Sequence, residues 1–360
     1  MHVQKIKVLV VEESSETRAL LVDMLGADDR ITVIGTAKNG REALEFLTRD
    51  VPDVILMDIE MSEMDGLETT RQIMETRPVP IVIYGDKDEL CGPMTSFRLI
   101  ESGAVAWMET PTGKQCRDLD AAAREMQQTV RLMSEVKVVR RWPNSRRKAV
   151  LAAQAAAAKP RQAVRAVEIV GIGASTGGPS VVQSILTNLP KDFPVPVLLV
   201  QHIAPGFVAG LVDWLNQTTG FKVDVANYGM QPEAGHVYVA PDDRHMAVGS
   251  DGKIVLSRSE PDGGMRPSVA HLFRSLAGVY GAAAVGVLLT GMGKDGAQEL
   301  SQMKGRGALT IAQDRESSVV HGMAGEAIAL GGASRVLPAD LIAPALVEAV
   351  TVFAPQWRES

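Results

Sequence analysis

Residues Ile169–Ser180 read I-V-G-I-G-A-S-T-G-G-P-S, an apolar run that passes into a turn of small residues. Pro179 suits the first turn of a helix, so this stretch predicts a strand, a tight turn and a helix. Gly173, Ser175 and Gly177 have the G-x-S-x-G spacing of a nucleophile elbow, in which glycines let the backbone turn sharply beneath a serine. The N–H groups at the helix start favour developing negative charge. The stretch makes Ser175 a candidate nucleophile in an α/β unit.

Three other interpretations of the same turn stay open on these residues alone. A Rossmann fingerprint would need a glycine where Thr176 stands, and a P-loop would need a lysine that the segment lacks. A tight strand-to-helix turn with a solvated serine is the third. Residues elsewhere in the chain must decide between a hydrolase and these alternatives.

Composition limits the classes of protein to which the chain can belong. Its 360 residues predict two domains, and 46% hydrophobic residues are ample for packed cores. A net charge of −6 argues against a nucleic-acid-binding protein. Cys91 and Cys116 are too few for a metal cluster or a disulfide framework, which fits a reducing cytosol. The N-terminus does not resemble a signal peptide, and the longest apolar stretch, Ala277–Thr290, is too short to span a bilayer, so we expect a cytoplasmic protein without membrane insertion.

The first half alternates strands with helices, which predicts a doubly wound parallel sheet. Glu12 and Glu13 follow the first predicted strand and Asp58 ends the third, so all three carboxylates belong at the carboxyl edge of the sheet. Mg²⁺ is the natural partner of three converging carboxylates, and Asp58 could then act as a nucleophile toward a phosphoryl group. By spacing alone, solvated acids at the starts of loops are the simpler interpretation. The predicted strands are 7–11, 31–37, 53–58, 81–84 and 104–108, with helices at 15–25 and 40–49.

The second half brings three further polar residues to the ends of predicted strands. Ser175, His202 and Asp295 each follow a different strand at the same edge of one predicted parallel sheet. Acyl transfer by a serine needs such a set: a hydroxyl, an imidazole that takes its proton, and a carboxylate that orients the imidazole. The chain order Ser–His–Asp differs from the Ser–Asp–His order of α/β-hydrolases and predicts a different fold. His245 and His321 follow loops and remain alternative bases.

Residues 126–164 differ in composition from both halves. The stretch from Met126 to Arg165 holds ten Lys or Arg residues and one acid, Glu135, and includes an alanine-rich segment, Ala149–Ala158. This segment has helix propensity but no apolar stripe, so we interpret the stretch as a partly helical linker. A basic run can also bind an acidic partner or a nucleic acid, and this alternative stays open.

The first half resembles the receiver domain of response regulators, which has a flavodoxin-like fold. The likeness rests on V-L-V-V-E-E-S, on L-M-D-I-E-M-S-E-M-D-G-L and on the order of elements over about residues 5–125. The resemblance implies a phosphoacceptor at Asp58 and a Mg²⁺ site formed by Glu12, Glu13 and Asp58. It also implies a sensor histidine kinase as a partner.

Three departures from the receiver pattern predict a degenerate phosphorylation site. The acidic pair of the family is usually aspartate, whereas the glutamates here are one methylene longer. Gly85 stands where the family places Ser or Thr, and Thr110 stands where it places a lysine. A phosphorylated Asp58 would lack a hydroxyl partner and an ammonium counter-charge unless Lys87 or Lys114 supplied the charge.

The second half resembles the catalytic domain of chemotaxis protein-glutamate methylesterases, the CheB family. The motifs G-I-G-A-S-T-G-G-P, V-Q-H-I, R-P-S-V, L-T-G-M-G-K-D-G-A and T-I-A-Q-D occur in order over about residues 165–352. The resemblance implies hydrolysis of glutamate γ-methyl esters on the cytoplasmic helices of chemoreceptors, and deamidation of receptor glutamines. It gives Ser175 the role of nucleophile, His202 that of general base and Asp295 that of orienting carboxylate.

The same resemblance extends to residues around the catalytic set. It places Thr176 and the backbone N–H of Met292 where they would stabilise an oxyanion. Ala270 follows R-P-S-V where the family commonly has aspartate, a departure that we expect to affect packing or substrate contact. No cofactor is implied for catalysis.

These observations predict two doubly wound α/β domains joined by a linker. The receiver-like domain spans 1–125, the basic, alanine-rich linker 126–164 and the catalytic domain 165–354. Two other classes of function compete with the enzyme. A non-catalytic adaptor would bind receptor helices but needs no Ser–His–Asp set, and a nucleotide-binding regulator would need the glycine and lysine that the Ser175 turn lacks.

Overall fold

Two parallel sheets, each covered by helices on both faces, form the described part of the chain. The computed structural model describes residues 5–85, 102–110, 119–136 and 166–351. Within these ranges no helix is both long enough and apolar enough to cross a membrane. The residues named above that lie outside the described ranges are Lys87, Cys91, Lys114, Cys116 and the predicted linker after residue 136.

The first sheet has five parallel strands in the order β2-β1-β3-β4-β5. Strands β1 to β5 span Ile6–Val11, Ile31–Ala37, Val54–Asp58, Ile81–Gly85 and Ala106–Glu109. Its helices are α1 at Ser15–Gly26, α2 at Gly40–Arg49, α3 at Gly66–Thr76 and α4 at Leu119–Ser134. Apolar side chains of α2 and α3 pack on one face of the sheet, and those of α1 and α4 pack on the other. This arrangement confirms the predicted doubly wound fold of the first half.

The second sheet has seven parallel strands in the order β14-β13-β12-β6-β7-β9-β8. Its strands are β6 at Ile169–Ala174, β7 at Val197–Gln201, β8 at Lys222–Val225, β9 at His236–Val239, β12 at Ala284–Leu288, β13 at Leu309–Gln313 and β14 at Arg335–Leu337. A separate antiparallel hairpin is formed by β10 at His245–Val248 and β11 at Ile254–Ser257. The helices are α5 at Gly178–Asn188, α6 at Val208–Thr219, α7 at Val269–Val279, α8 at Ala297–Gly305, α9 at Met323–Ala329 and α10 at Ala339–Thr351.

The strands of the second sheet are apolar because both faces are covered. Every residue of β7 and of β12 is buried. Helices α5, α6 and α10 pack on one face, while α7, α8, α9 and the β10–β11 hairpin pack on the other. Trp214 of α6 and Phe273 of α7 are among the largest buried side chains, and each stabilises the fold by roughly 1.5–3 kcal/mol. This double cover confirms the predicted α/β class and leaves the carboxyl edge of the sheet for the site.

Several local features were not expected from the sequence. Helices α3 and α6 and strand β14 have no counterpart among the predicted elements. Helix α5 begins at Gly178, one residue before Pro179, and Gly177 before it adopts φ +77°. Helix α4 continues past residue 125, and its Met126 and Val130 are buried in the core of the first sheet. The first residues of the basic stretch therefore pack as a helix on the receiver-like sheet.

Candidate active site

The centre of the second sheet brings the ends of three strands together. Strand β6 lies between β12 and β7, and its last residue, Ala174, is paired with Gln201 at the end of β7. Ser175 and His202 directly follow these paired residues, and the His202 N–H donates to the Ala174 carbonyl at 2.9 Å. Asp295 lies in the loop after β12, on the other side of β6. The imidazole and the carboxylate thus come from the two strands that flank the serine's strand.

Backbone contacts hold the Ser175 turn in place. The Ser175 N–H donates to the Thr290 carbonyl at 3.1 Å, which ties the turn to the loop after β12. The Ser175 carbonyl accepts from the Gly178 N–H and from Gln201 Nε2, both at 2.8 Å. Gly177 supplies the left-handed conformation that L side chains rarely adopt. The turn that the glycines predicted is therefore fixed by hydrogen bonds from both neighbouring strands.

Gly291 lets the β12 loop lie directly against the nucleophile turn. A Cβ at this position would lie 2.6 Å from the Ser175 Cβ and 2.5 Å from the Met323 Sδ, which is closer than packed atoms approach. Space and not backbone conformation requires glycine here, because Gly291 has no positive φ. The loop can then continue past the serine and carry Asp295 toward His202.

Asp295 is seated on the first turn of helix α7. Its Oδ1 accepts hydrogen bonds from the Ser268 Oγ at 2.9 Å and from the Ala270 N–H at 3.0 Å. Its Oδ2 accepts from the Val269 N–H at 2.7 Å. Free N–H groups at a helix start attract negative charge. The carboxylate is therefore fixed in direction and stabilised as an anion.

The imidazole of His202 lies beside this carboxylate. Its Nε2 is 2.9 Å from the Asp295 Oδ2, and the two side chains are only 9% and 10% exposed. The Nε2–H is not aligned for a hydrogen bond, and the buried Nδ1 has no hydrogen-bond partner within the described ranges. Catalytic hydrogen bonds are often loosely aligned before substrate binds. Because Nε2 faces Asp295, Nδ1 is the ring nitrogen available to a serine hydroxyl.

Burial and hydrogen bonding act in opposite directions on the pKa of Asp295. Burial raises the pKa, but the His202 ring and the N–H groups of Ala270 and Val269 together lower it by more, so the pKa lies below its ordinary value. The ionised Asp295 therefore stabilises the folded state. This contribution is complete above the pKa that Asp295 has in the unfolded chain, and it is lost as the pH falls through its pKa in the folded protein. Asp295 is an anion at neutral pH.

Thr176 and Met292, the residues predicted to stabilise an oxyanion, lie in the turns after β6 and β12. The Thr176 carbonyl accepts from the Thr290 Oγ1 at 2.9 Å, which joins the two turns. The Met292 side chain is 42% exposed and borders solvent. Thr176 lies in the nucleophile turn, and Met292 lies in the loop after β12 that packs against this turn. Their roles in stabilising an oxyanion stay predictions.

The two alternative histidines lie in different surroundings. His245 is fully buried, and its Nε2 is 3.1 Å from the Glu260 carbonyl. His321 lies nearer the site, because its backbone bridges to Gly291. Burial lowers the pKa of the His321 ring. Across the described ranges neither histidine forms the close carboxylate pair that His202 forms.

Two loops at this edge of the second sheet also contact the first half. Phe207, in the loop after β7, is buried in the same apolar cluster as Ile59 and Ala104. Val319 and Val320, in the loop after β13, pack against the cluster that contains Tyr84. The receiver-like half therefore touches loops on both sides of the candidate site.

Protein donors occupy the acidic pair of the receiver-like half. Glu12 accepts from the Tyr84 hydroxyl on one carboxylate oxygen and from the Ser14 N–H on the other, both at 2.7 Å. Glu13 accepts from the N–H and the Oγ of Ser62 at 2.8 and 2.7 Å. The extra methylene of each glutamate gives the carboxylate the reach to make these contacts.

This arrangement does not fit a divalent cation. Asp58 ends β3 and Thr110 follows β5, as the sequence predicted, whereas Gly85 is the last residue of β4 and not the first residue after it. No group of three or more His, Cys, Asp or Glu side chains in the described part of the chain is placed to hold a metal. Burial, and then the charges of Glu12 and Asp58, raise the pKa of Tyr84, so its hydroxyl remains a proton donor. The residues present do not form a receiver-type Mg²⁺ site.

Two residues that support the site, Ser268 and Gln201, were not among the predicted site residues. The sequence predicts a helix over 269–280 directly after Ser268, and α7 begins there. Nothing in the sequence pointed Ser268 toward Asp295. Gln201 is a polar residue at the end of a buried strand, and its Nε2 also donates to the His202 carbonyl at 2.9 Å.

Both halves of the chain match known proteins. Residues 170–346 match the family described as CheB methylesterase, and residues 8–112 match the response regulator receiver domain. A protein-glutamate methylesterase/protein-glutamine glutaminase of Nitrosospira multiformis is 50% identical over 345 residues, which cover 96% of this chain and 97% of that relative. The chain belongs to the CheB methylesterase family.

Another full-length relative and a solved catalytic domain also align with this chain. A protein-glutamate methylesterase/protein-glutamine glutaminase 1 of Syntrophus aciditrophicus is 48% identical over 352 residues, covering 97% of this chain and 100% of that relative. Among solved structures, the catalytic domain of the Thermotoga maritima CheB methylesterase is 40% identical and covers 51% of this chain and 98% of that domain, with a TM-score of 0.49. The family resemblance predicted from the motifs is confirmed.

Proposed function

We propose that the chain is a protein-glutamate methylesterase that also deamidates glutamine side chains, acting on chemoreceptors. The observation that carries the proposal is the Asp295 carboxylate seated against His202, next to the strand that Ser175 directly follows. The relatives named above carry both activities in their names. One acyl transfer serves both, because methanol and ammonia leave from the same kind of glutamyl carbonyl.

The first half of the reaction transfers the acyl group to Ser175. The serine oxygen attacks the ester carbonyl carbon while the Nδ1 of His202 takes the hydroxyl proton. Asp295 keeps the ring proton on Nε2 and stabilises the imidazolium. The tetrahedral intermediate then collapses, the bond to the methoxy oxygen breaks, and His202 gives its proton to the leaving methanol.

The second half of the reaction regenerates the enzyme. Water attacks the glutamyl ester of Ser175 and gives a proton to His202 Nδ1, and the bond between the carbonyl carbon and the serine oxygen breaks. His202 returns that proton to the Ser175 oxygen, and the glutamic acid leaves and gives its remaining proton to solvent to become the carboxylate. Thr176, the Met292 N–H and the helix start after the nucleophile turn stabilise the oxyanion in both halves, where one donor typically contributes about 10²–10³ in rate.

The same proposal covers the setting of the reaction. Side chains and main-chain groups supply everything that acyl transfer requires, so we infer that catalysis uses no cofactor. The substrates are the methylated cytoplasmic helices of chemoreceptors, and the enzyme acts in the cytoplasm. A sensor histidine kinase is the expected partner of the receiver-like half, and we infer no role in nucleic-acid binding.

Methanol release tests the proposed function directly. Membranes that carry methylated chemoreceptors from the same cell should release methanol and lose base-labile methyl esters when the full chain is added. Receptors with glutamine at the methylation positions should release ammonia instead. The control is the same membrane preparation with unmethylated receptors. The proposal would be contradicted if the chain leaves the methyl esters intact on receptors from which an unrelated esterase can remove them.

We further infer that the receiver-like half works without Mg²⁺, because Tyr84, Ser14 and Ser62 already satisfy the acidic pair. Millimolar MgCl₂ should leave the melting temperature unchanged, whereas a ligand at about 100 times its Kd would stabilise the fold by about 2.7 kcal/mol. The variant that carries both Glu12→Asp and Glu13→Asp is the contrast, because its shorter carboxylates cannot reach the same donors. A Mg²⁺-dependent rise in the wild type that disappears in Asp58→Ala would overturn the inference.

A further inference from the structure

Ser268 is a buried residue whose hydroxyl has two hydrogen-bonding tasks. It is fully buried at the N-cap position of α7, with extended backbone angles of φ −118° and ψ 136°. Its Oγ accepts the His271 N–H at 3.3 Å, as N-cap side chains do. The same hydroxyl donates its proton to the Asp295 Oδ1 at 2.9 Å. It therefore starts a helix and also holds a carboxylate of the candidate active site.

Ser268 and the main chain after it fix the plane of the Asp295 carboxylate. Oδ1 accepts from the Ser268 hydroxyl and the Ala270 N–H, while Oδ2 accepts from the Val269 N–H. These three donors on its two oxygens hold the carboxylate in one orientation. Oδ2 is also the oxygen that lies 2.9 Å from His202 Nε2. The first turn of α7 thus sets the direction in which Asp295 faces the imidazole.

We propose that Ser268 is a positioning residue for the esterase reaction, acting through Asp295 to orient His202. The proposal rests on the proposed function, and Ser268 itself touches no reacting atom. Without its proton, Oδ1 keeps only the Ala270 N–H, and the carboxylate can rotate away from Nε2. His202 then presents Nδ1 to Ser175 for a smaller fraction of the time.

Kinetics of the full chain separate positioning from helix capping. Ser268→Ala should lower kcat by roughly 10- to 100-fold, by analogy with the loss found when the hydrogen-bond partner that orients a metal-ligating side chain is removed, and should leave KM unchanged. Ser268→Thr keeps the hydroxyl and should restore most of the rate. Ser14→Ala is the matched control: it removes a serine N-cap whose Oγ accepts the Thr17 N–H at 3.3 Å, but in the receiver-like half. It should lower the melting temperature without changing kcat.

A double-mutant cycle gives the decisive comparison. Asp295→Ala removes the carboxylate to which the Ser268 hydroxyl donates, so adding Ser268→Ala to this variant should not lower its residual rate further. If Ser268→Ala lowers the rate by the same factor in the wild type and in Asp295→Ala, Ser268 acts only on the helix and the proposal is overturned. An unchanged kcat in the single Ser268→Ala variant would overturn it as well.

A measurement that does not need turnover distinguishes this proposal from the proposed function. A hydrogen bond from the His202 Nε2–H to the Asp295 carboxylate gives a far-downfield proton resonance. The 2.9 Å separation lets a small ring rotation form this bond in solution, so the resonance should be present in the wild type and absent in Asp295→Ala. In Ser268→Ala it should shift upfield or broaden, and in Ser268→Thr it should return. If the wild type releases no methanol but the resonances follow this pattern, the proposed esterase function is wrong and the positioning role of Ser268 is supported. A resonance unchanged in Ser268→Ala would refute the positioning alone.

Discussion

Replacing Ser175 with alanine is expected to reduce methanol release from methylated chemoreceptors by about 10⁴- to 10⁶-fold. Alanine has no oxygen with which to form the glutamyl-enzyme, so the acyl transfer to residue 175 is lost. The backbone contacts of the turn come from main-chain atoms and survive the change, so the melting temperature should barely move. Radiolabelled methyl groups on the receptors give the sensitivity that this measurement requires.

Ser184→Ala is the matched control for this prediction. Ser184 lies on α5, the helix that follows the nucleophile turn, and is only half-buried. Its replacement should leave the rate unchanged. Labelling with a serine-reactive phosphonate should fail in Ser175→Ala and persist in Ser184→Ala. If the wild type binds receptor helices but releases neither methanol nor ammonia, the chain is an adaptor and the proposed function is wrong.

Asp295→Asn is expected to lower kcat by about 10⁴-fold, the effect of the same change in a comparable triad. The amide has one oxygen, which belongs at the Oδ1 position because two donors meet there, Ser268 and the Ala270 N–H. The amide nitrogen then takes the Oδ2 position and donates to His202 Nε2. The ring proton moves to Nδ1, the nitrogen that must accept the proton of Ser175, and the base is lost.

The same geometry gives this prediction a second readout. In Asp295→Asn the Val269 N–H faces an amide nitrogen instead of the carboxylate oxygen that now accepts it at 2.7 Å. An unpaired buried donor costs about 1–3 kcal/mol, so the free energy of unfolding should fall by that amount. Asp213→Asn, at an exposed position of α6, should change neither the rate nor the stability. A rate within tenfold of the wild type would show that Asp295 does not set the tautomer.

The positions of Ser175, His202 and Asp295 could be predicted because a parallel sheet orders its strand ends. An apolar run that ends in a polar residue indicates both the strand and the edge at which the residue lies. The contact between Asp295 and the start of α7 could not be predicted in this way. It depends on the path of the loop after β12, and no periodicity in the sequence encodes that path.

The receiver-like site could be predicted only in part from the sequence. Glutamates at 12 and 13, Gly85 and Thr110 depart from the receiver pattern, and these three departures together predicted a degenerate site. The sequence could not reveal that Tyr84 donates to Glu12, because a tyrosine inside an apolar strand has the pattern of an ordinary core residue. Helix α6 was missed although its signal is present in the sequence. Its buried residues Val208, Leu211, Val212 and Leu215 recur with the spacing of an amphipathic helix.

The β10–β11 hairpin pairs with no strand of the seven-stranded sheet and precedes α7 in the chain. It packs on α7 instead, where the ring of His245 stacks on that of His271 at 4.5 Å and the Val248 N–H donates to the Ser275 Oγ at 3.0 Å. The helix whose first turn holds Asp295 is therefore braced by an element that lies outside the sheet.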